Sequence, residues 1–199
     1  MNETDVSEIG LHYLRHSVAM IPQDPLLFSG TLKSNIDPFD KYSDEEVADS
    51  LKKVHIWDDL KEDSTEEDPI KKKLYSKIDE EGSNYSLGQR QLICLARALV
   101  RNPRILLMDE ATASIDMKTD NLIQKMISEE FKNTTVITIA HRLNTIINYD
   151  KILVLEKGEV KEYESPKVLV NDENSFLGKS IRKVGKEYSE KMIKLANKE

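Results

Sequence analysis

The sequence predicts an α/β fold organised around a mostly parallel sheet. Aliphatic and β-branched runs at Ile105-Leu106-Leu107-Met108 and Thr134 to Ile139 alternate with amphipathic stretches at Ser86–Arg101 and Asp116–Phe131. Strand–helix alternation of this kind is the pattern of parallel strands joined by helical crossovers. A continuous apolar run such as Ile105–Met108 suits a strand buried on both faces of such a sheet. The length, 199 residues, allows one buried core, or one domain plus a tail.

Each element has its own local reason. Leu11 and Leu14, three apart, suggest a turn of helix within Glu8–His16. Ser17-Val18-Ala19-Met20-Ile21 is a short apolar run stopped by Pro22 and reads as a buried strand. Gln23 to Gly30 is loop-like, punctuated by Pro25 and Gly30. Ser43-Asp44-Glu45-Glu46 reads as a helix start, with Ser43 as N-cap and Glu46 three residues in. Val47, Leu51 and Val54 continue that helix. Residues 61–84 are charged and irregular and read as a surface connection, with Lys71-Lys72-Lys73 a solvated face. Ser86 to Arg101 is the best helix, with Leu92, Leu95, Ala96 and Leu99 on one face and Asn102-Pro103 at its end. Lys151–Leu155 and Glu159–Tyr163 flank Glu156-Lys157-Gly158 as a hairpin. Ile181, Val184, Tyr188, Met192 and Leu195 predict one amphipathic C-terminal helix, weakened at Gly185 by about 1 kcal/mol relative to Ala.

Composition narrows the function. Lys plus Arg is 29 and Asp plus Glu is 36, a net charge of −7. That balance argues against a nucleic-acid partner held by broad phosphate neutralisation. Cys94 is the single cysteine, which excludes an internal disulfide and suits a reducing compartment. No apolar run approaches the ~18 residues of a membrane span, and Met1–Asp5 has neither the basic nor the apolar region of a signal peptide.

Two segments carry candidate chemistry. Asp109-Glu110 follows the Ile105–Met108 strand, and ligands in open α/β sheets bind at strand ends. Asp109 would hold Mg²⁺, directly or through water, and Glu110 would orient and polarise an attacking water. An equally good local reading is that the two acids merely open a helix. Tyr85-Ser86-Leu87-Gly88-Gln89-Arg90-Gln91 opens the best helix. Ser86 supplies a hydroxyl, Gly88 permits close backbone approach, and the exposed N–H groups favour a phosphate. An ordinary N-cap accounts for the same residues.

Taken in order, these segments resemble an ATP-binding-cassette (ABC) domain. Ile21-Pro22-Gln23-Asp24-Pro25 is similar to the Q-loop, Tyr85–Gln89 followed by Arg97-Ala98-Leu99 to the signature motif, and Ile105–Glu110 to the Walker B strand. Ser114-Ile115-Asp116 is similar to the D-loop, and His141 to the H-loop. The match runs over roughly residues 8–170. Phe28-Ser29-Gly30-Thr31-Leu32, Asn35-Ile36-Asp37-Pro38-Phe39 and Ser86–Gln91 resemble the second cassette of subfamily C, the multidrug-resistance-associated type. Leu87 stands where the usual signature has glycine, and second cassettes of that subfamily often carry an aliphatic residue there.

The resemblance implies a P-loop NTPase-like, mostly parallel sheet with a helical signature subdomain, over residues 1–172, followed by a tail at 173–199. It implies ATP and Mg²⁺, with Asp109 and Gln23 at the metal and Glu110 as the catalytic carboxylate. His141 would bond the γ-phosphate, and Gln23 would report nucleotide state. Ser86, Gly88 and Gln89 would meet the γ-phosphate of ATP held mainly by a second cassette in a head-to-tail dimer. Asp116 would help fix that dimer. The remaining implied partners are transmembrane domains, which would place the chain at the cytoplasmic face of a membrane, within an exporter. His12, His16 and His55 receive no role, and Cys94 and Trp57 read as packing.

The chain contains no Gly-x-x-x-x-Gly-Lys-Ser/Thr phosphate loop. Gly178-Lys179-Ser180 is a decoy, since Glu173 stands where the first glycine belongs. Glu8–Arg15 resembles the stretch that follows the phosphate-loop helix in the family. The expectation is therefore a cassette incomplete at its N-terminus, inactive by itself, whose sheet exposes edges and apolar surface.

Overall fold

The computed structural model of the chain describes residues 5–62, 64–109, 117–140 and 142–197. It comprises two compact units, Met1–Ile139 and Ala140–Glu199. The first unit holds α1 (Leu11–Ser17), β1 (Val18–Ile21), β2 (Gly30–Thr31), α2 (Leu32–Ile36), α3 (Asp44–Lys53), α4 (Pro69–Leu74), β3 (Lys77–Ile78), α5 (Leu87–Val100), β4 (Ile105–Asp109), α6 (Met117–Glu130) and β5 (Thr135–Ile139). Its main sheet has the order β1-β4-β5. Both pairings are parallel, as the alternation of strands and helices requires. Val18, Ile105 and Thr135 share one rung, and Ile21 pairs with Met108.

α5 sets the arrangement of this unit. It packs on β1 on one side and on α2 and α3 on the other. Ile93, Cys94, Leu95 and Ala96 are all buried, so the helix is apolar round most of its circumference. The inner sheet face (Ala19, Ile21, Leu106, Met108) and the helical layer (Leu32, Ile36, Val47, Leu51) thereby join one core. α3 begins with the expected reciprocal cap. Ser43 Oγ accepts from Glu46 N at 3.2 Å, and Glu46 Oε2 accepts from Ser43 N at 2.8 Å. Lys33 ties α2 to the start of α3 through Asp40 at 2.8 Å and Asp44 at 2.7 Å. The Asp40 and Asp44 carboxylates hold its ammonium above the ordinary lysine range, so Lys33 stays charged at neutral pH.

Two sequence expectations need correction here. Residues 61–84 are not simply a surface connection, because α4 and β3 lie within them. Asp68 Oδ1 caps α4 by accepting from Ile70 N and Lys71 N, and Pro69 takes the first helical position. Leu74 and Ile78 are fully buried anchors. Within the lysine run, Lys73 is held under the fold, donating to Trp57 O at 2.9 Å with its ammonium 5.2 Å from the indole centroid. The second correction concerns β4, which is buried on one face only. On the other face of the sheet Met20, Ile137 and Ile139 are 60%, 53% and 58% exposed.

The second unit holds α7 (Leu143–Ile146), β6 (Ile152–Glu156), β7 (Glu159–Glu164), α8 (Pro166–Asn171), α9 (Phe176–Val184) and α10 (Lys186–Ala196). β6 and β7 form the expected antiparallel hairpin. Its turn, Lys157-Gly158, has positive φ at both residues, the requirement of a twisted two-residue connection. Leu169, Val170, Leu177, Ile181 and Met192 form its core. The single C-terminal helix expected from periodicity is two. Gly185 adopts φ 139° and ψ 161° and breaks it. Glycine alone reaches that backbone freely, so the cost expected at Gly185 is avoided by ending one helix and starting another.

The open sheet face yields a prediction. Met20→Thr with Ile137→Thr lowers concentration-dependent light scattering by the 199-residue chain. Both sites are exposed, so the urea midpoint changes by less than about 1 kcal/mol in free-energy equivalent. A loss of several kcal/mol would mean these side chains are already packed.

Candidate functional site

Two described candidate groups, Asp109 and Gln23, lie at the carboxyl edge of the main sheet. Asp109 is the last residue of β4 and is half-buried. Gln23 lies two residues beyond the end of β1 and is exposed. The parallel register of β1 and β4 carries both to the same end of adjacent strands. There the loops, rather than the ladder, supply the environment. A carboxylate and an amide oxygen are hard donors. They fit Mg²⁺, which takes one or two protein oxygens and keeps several waters. No group of three or more His, Cys, Asp or Glu among the described residues could hold a metal by itself. Glu110, Asp116 and His141 lie outside the described residues.

The start of α5 is a closed capping box. Ser86 Oγ accepts from Gln89 N at 3.2 Å, and Gln89 Oε1 accepts from Ser86 N at 2.9 Å. This geometry sorts the groups assigned to a phosphate. The Ser86 hydroxyl still carries a proton to donate, and the Leu87 and Gly88 N–H groups have no helical acceptor. Gln89 Oε1 is engaged, leaving the amide NH₂ as that side chain's donor to any ligand. The turn before Ser86 is shaped by Glu81 and Gly82, both at positive φ. A Cβ on Gly82 would lie 2.9 Å from Leu27 Cδ1 and 3.0 Å from Arg90 Cδ. Arg90 Nη1 donates to Glu81 O at 3.1 Å, tying that turn back to α5.

Two positioning side chains were not assigned by sequence reasoning. Asn35, buried in α2, clasps the loop that follows Gln23. It accepts from Phe28 N at 2.8 Å and donates to Phe28 O at 2.7 Å and Thr31 O at 3.1 Å. Arg97 of α5 donates through Nε to Asn35 O at 2.7 Å and through its terminal nitrogens to Leu26 O at 3.3 and 3.4 Å. Their sequence signal was membership of the family-resembling segments Asn35–Phe39 and Arg97–Leu99, without a role. The bonds of Arg97 join residues 62 and 71 positions apart. Cys94 is buried, and burial pushes its thiol up from the ordinary range, away from nucleophilic use. Gly178-Lys179-Ser180 lies inside α9, with Gly178 against Asp172 O, where no nest of free N–H groups can form.

Residues 1–113 match the family described as ABC transporter. Human ATP-binding cassette sub-family C member 4 is 48% identical over 180 residues, which cover 90% of this chain and 13% of that protein. Rat ATP-binding cassette sub-family C member 2 is 51% identical over 172 residues, covering 86% of this chain and 11% of that one. An ATP-dependent bile acid permease of Saccharomyces cerevisiae is 47% identical over 191 residues, covering 88% and 12%. Among solved structures, a bacterial Atm1-family ABC exporter with ATP bound superposes with a TM-score of 0.78 at 32% identity. That match covers 93% of this chain and 31% of the exporter chain. The chain thus spans 11–13% of the length of these curated relatives.

Ser86→Ala removes the cap of α5 and lowers stability by about 1 kcal/mol in urea unfolding, while Ser86→Gly costs only a few tenths. Asn35→Ala removes two bonds to Phe28 in the loop after Gln23 and one to Thr31, and costs about 1–3 kcal/mol. An unchanged midpoint in Asn35→Ala would show that the clasp contributes nothing.

Proposed function

We propose a motor function for this chain, which belongs to the ABC transporter family: it is the nucleotide-binding cassette of an exporter of the sub-family C type, hydrolysing ATP to ADP and phosphate. The observation that carries this reading is that Gln23 and Asp109 fall at the same end of adjacent parallel strands, in a unit that also holds the capped, donor-bearing start of α5. Leu87, in the place of the usual signature glycine, favours the second cassette of such a transporter.

In this reading Asp109 and Gln23 hold Mg²⁺, which when bound neutralises charge on the transferring phosphate. Glu110 orients a water and draws off its proton as the water oxygen attacks the γ-phosphorus in line. The bond from the γ-phosphorus to the bridging oxygen breaks and ADP leaves. His141 bonds the γ-phosphate oxygens. Ser86 and Gly88 donate to the γ-phosphate of ATP held by an opposing cassette, and Gln89 adds its amide. Asp116 fixes the head-to-tail pairing. Catalysis is then mostly positioning and electrostatics. No helix among the described residues is long and apolar enough to cross a membrane. The reading assigns that role to transmembrane partner domains, with the cassette at the cytoplasmic face and Gln23 transmitting nucleotide state to them.

A second reading applies to the 199 residues by themselves. They contain no Gly-x-x-x-x-Gly-Lys-Ser/Thr sequence, so the β- and γ-phosphates lack the backbone nest and lysine that normally cradle them. Alone, the chain binds ATP weakly and does not turn it over.

Two measurements test these readings. Steady-state phosphate release by the isolated chain stays at background; turnover of about 1 s⁻¹ that disappears in Glu110→Gln would refute the second reading. In the intact transporter carrying this cassette, Glu110→Gln keeps ATP binding and loses about 10²- to 10⁴-fold in hydrolysis at its site. Parent-level turnover there would remove Glu110 from the mechanism.

A further inference from the structure

Near the starts of α5 and α6, Gly88 faces Thr119. A Cβ placed on Gly88 would lie 3.1 Å from Thr119 Cγ2, 3.6 Å from Oγ1 and 3.8 Å from Cβ. Thr119 is the third residue of α6, and Gly88 the second of α5. Gly88 and Thr119 are themselves half-buried, and Gln91 and Asp120, further along the two helices, are each 1% exposed. Gly88 is not among the residues with positive φ, so its backbone would accept any L-residue. A glycine in a helix costs up to about 1 kcal/mol against alanine. Conformation therefore does not account for glycine here, whereas space does. Thr119 is β-branched and has few χ1 wells in a helix, so its methyl is a stiff spacer.

We propose that Thr119 is a positioning residue for the phosphate-facing turn. Its methyl, seated against the Gly88 Cα, fixes how far the start of α5 stands from α6. In doing so it sets where the Leu87 and Gly88 N–H groups are presented. It also crowds any Cβ at position 88, which adds to the close phosphate approach as a reason for glycine there. The proposal deepens the reading of Ser86–Gln89 as a γ-phosphate contact and rests on it. It adds a link between that turn and α6, the helix that follows the segment bearing Glu110 and Asp116.

The test has two arms. In the 199-residue chain, Gly88→Ala lowers the thermal midpoint by about 2–4 °C. In a Thr119→Ala background, where the methyl is gone, the same change leaves the midpoint equal or raises it. A shift of the same sign and size in both backgrounds overturns the proposal. In the intact transporter carrying this cassette, Thr119→Ser loses the methyl and lowers ATP turnover about tenfold or more, since small misplacements of contacting groups are costly. Thr119→Val keeps the methyl and restores turnover to within about twofold of the parent, a rescue that loss of the hydroxyl alone would not allow. Parent-level turnover in Thr119→Ser overturns the positioning role. Glu110→Gln in the same transporter separates the two layers of inference. If it leaves turnover unchanged, the motor reading fails. If it abolishes turnover while Thr119→Ser does not, only the Thr119 proposal fails.

Discussion

The burial of α5 is the constraint from which the first unit follows. A helix with Ile93, Cys94, Leu95 and Ala96 all out of water must be covered on more than one side. β1 supplies one cover, and the α2–α3 pair supplies the other. Full burial of such aliphatic side chains is worth about 1.5–3 kcal/mol each, so sliding or tilting α5 would expose several of them at once. Its polar appendages gain their precision from that anchorage. Arg97 can hold the loop after Gln23 because the helix beneath it does not move. Arg90 likewise holds the turn before Ser86. The start of the helix is therefore presented at a fixed height over a rigid base, which a donor pair aimed at a phosphate needs.

How much of this was legible depended on the range of the interactions involved. The capping box at Ser43 and the N-cap at Ser86 are local signals that form as the sequence suggests, and at Ser86 Gln89 completes a box as well. The parallel strands were legible because β-branched and aliphatic runs alternate with helical spacing. α4 was hidden because its burial rests on Leu74 alone within six residues, in a segment crowded with charge. The C-terminal break was hidden because helical periodicity continues across Gly185, and only the backbone shows that the phase is reset there. Asn35 and Arg97 were recognisable as residues of a resembling family, but the bonds of Arg97 to the loop after Gln23 span 71 positions, too many for any local pattern. At the candidate site, residue order identified the strand-end pair and the start of α5. The seating of Thr119 against Gly88 is a matter of tenths of an ångström between two helices, and no sequence spacing encodes it.

The family assignment and the fold support each other through different physics. Membership of the ABC transporter family rests on residues 1–113, whereas the match to the solved exporter extends over 93% of the chain. Identities of 47–51% to sub-family C members and a yeast bile acid permease bear out the subfamily resemblance. The acidic net charge, which argued against a nucleic-acid partner, is consistent with a surface whose positive character is local. In the proposed reading it would come from aligned backbone N–H groups and a divalent cation rather than from a field of lysines.

The capping box at Ser86 does not compete with ligand binding, because it engages different N–H groups. A helix leaves its first N–H groups without acceptors. Ser86 Oγ takes the one on Gln89, and Gln89 Oε1 takes that of Ser86 itself. The box thus stabilises the free protein using the two N–H groups on either side of the pair it leaves bare, those of Leu87 and Gly88. Interaction of an anion with the dipole of one exposed helix end is worth only about 0.3–1 kcal/mol. Two bare N–H groups and one hydroxyl cannot therefore retain a nucleotide unaided. A site of this strength works only as a completing element, gripping a phosphate that other groups already hold. In the proposed reading those other groups belong to the opposing cassette. The weakness of the turn is then functional, because pairing of the two cassettes depends on the nucleotide between them and is released once the γ-phosphate is gone.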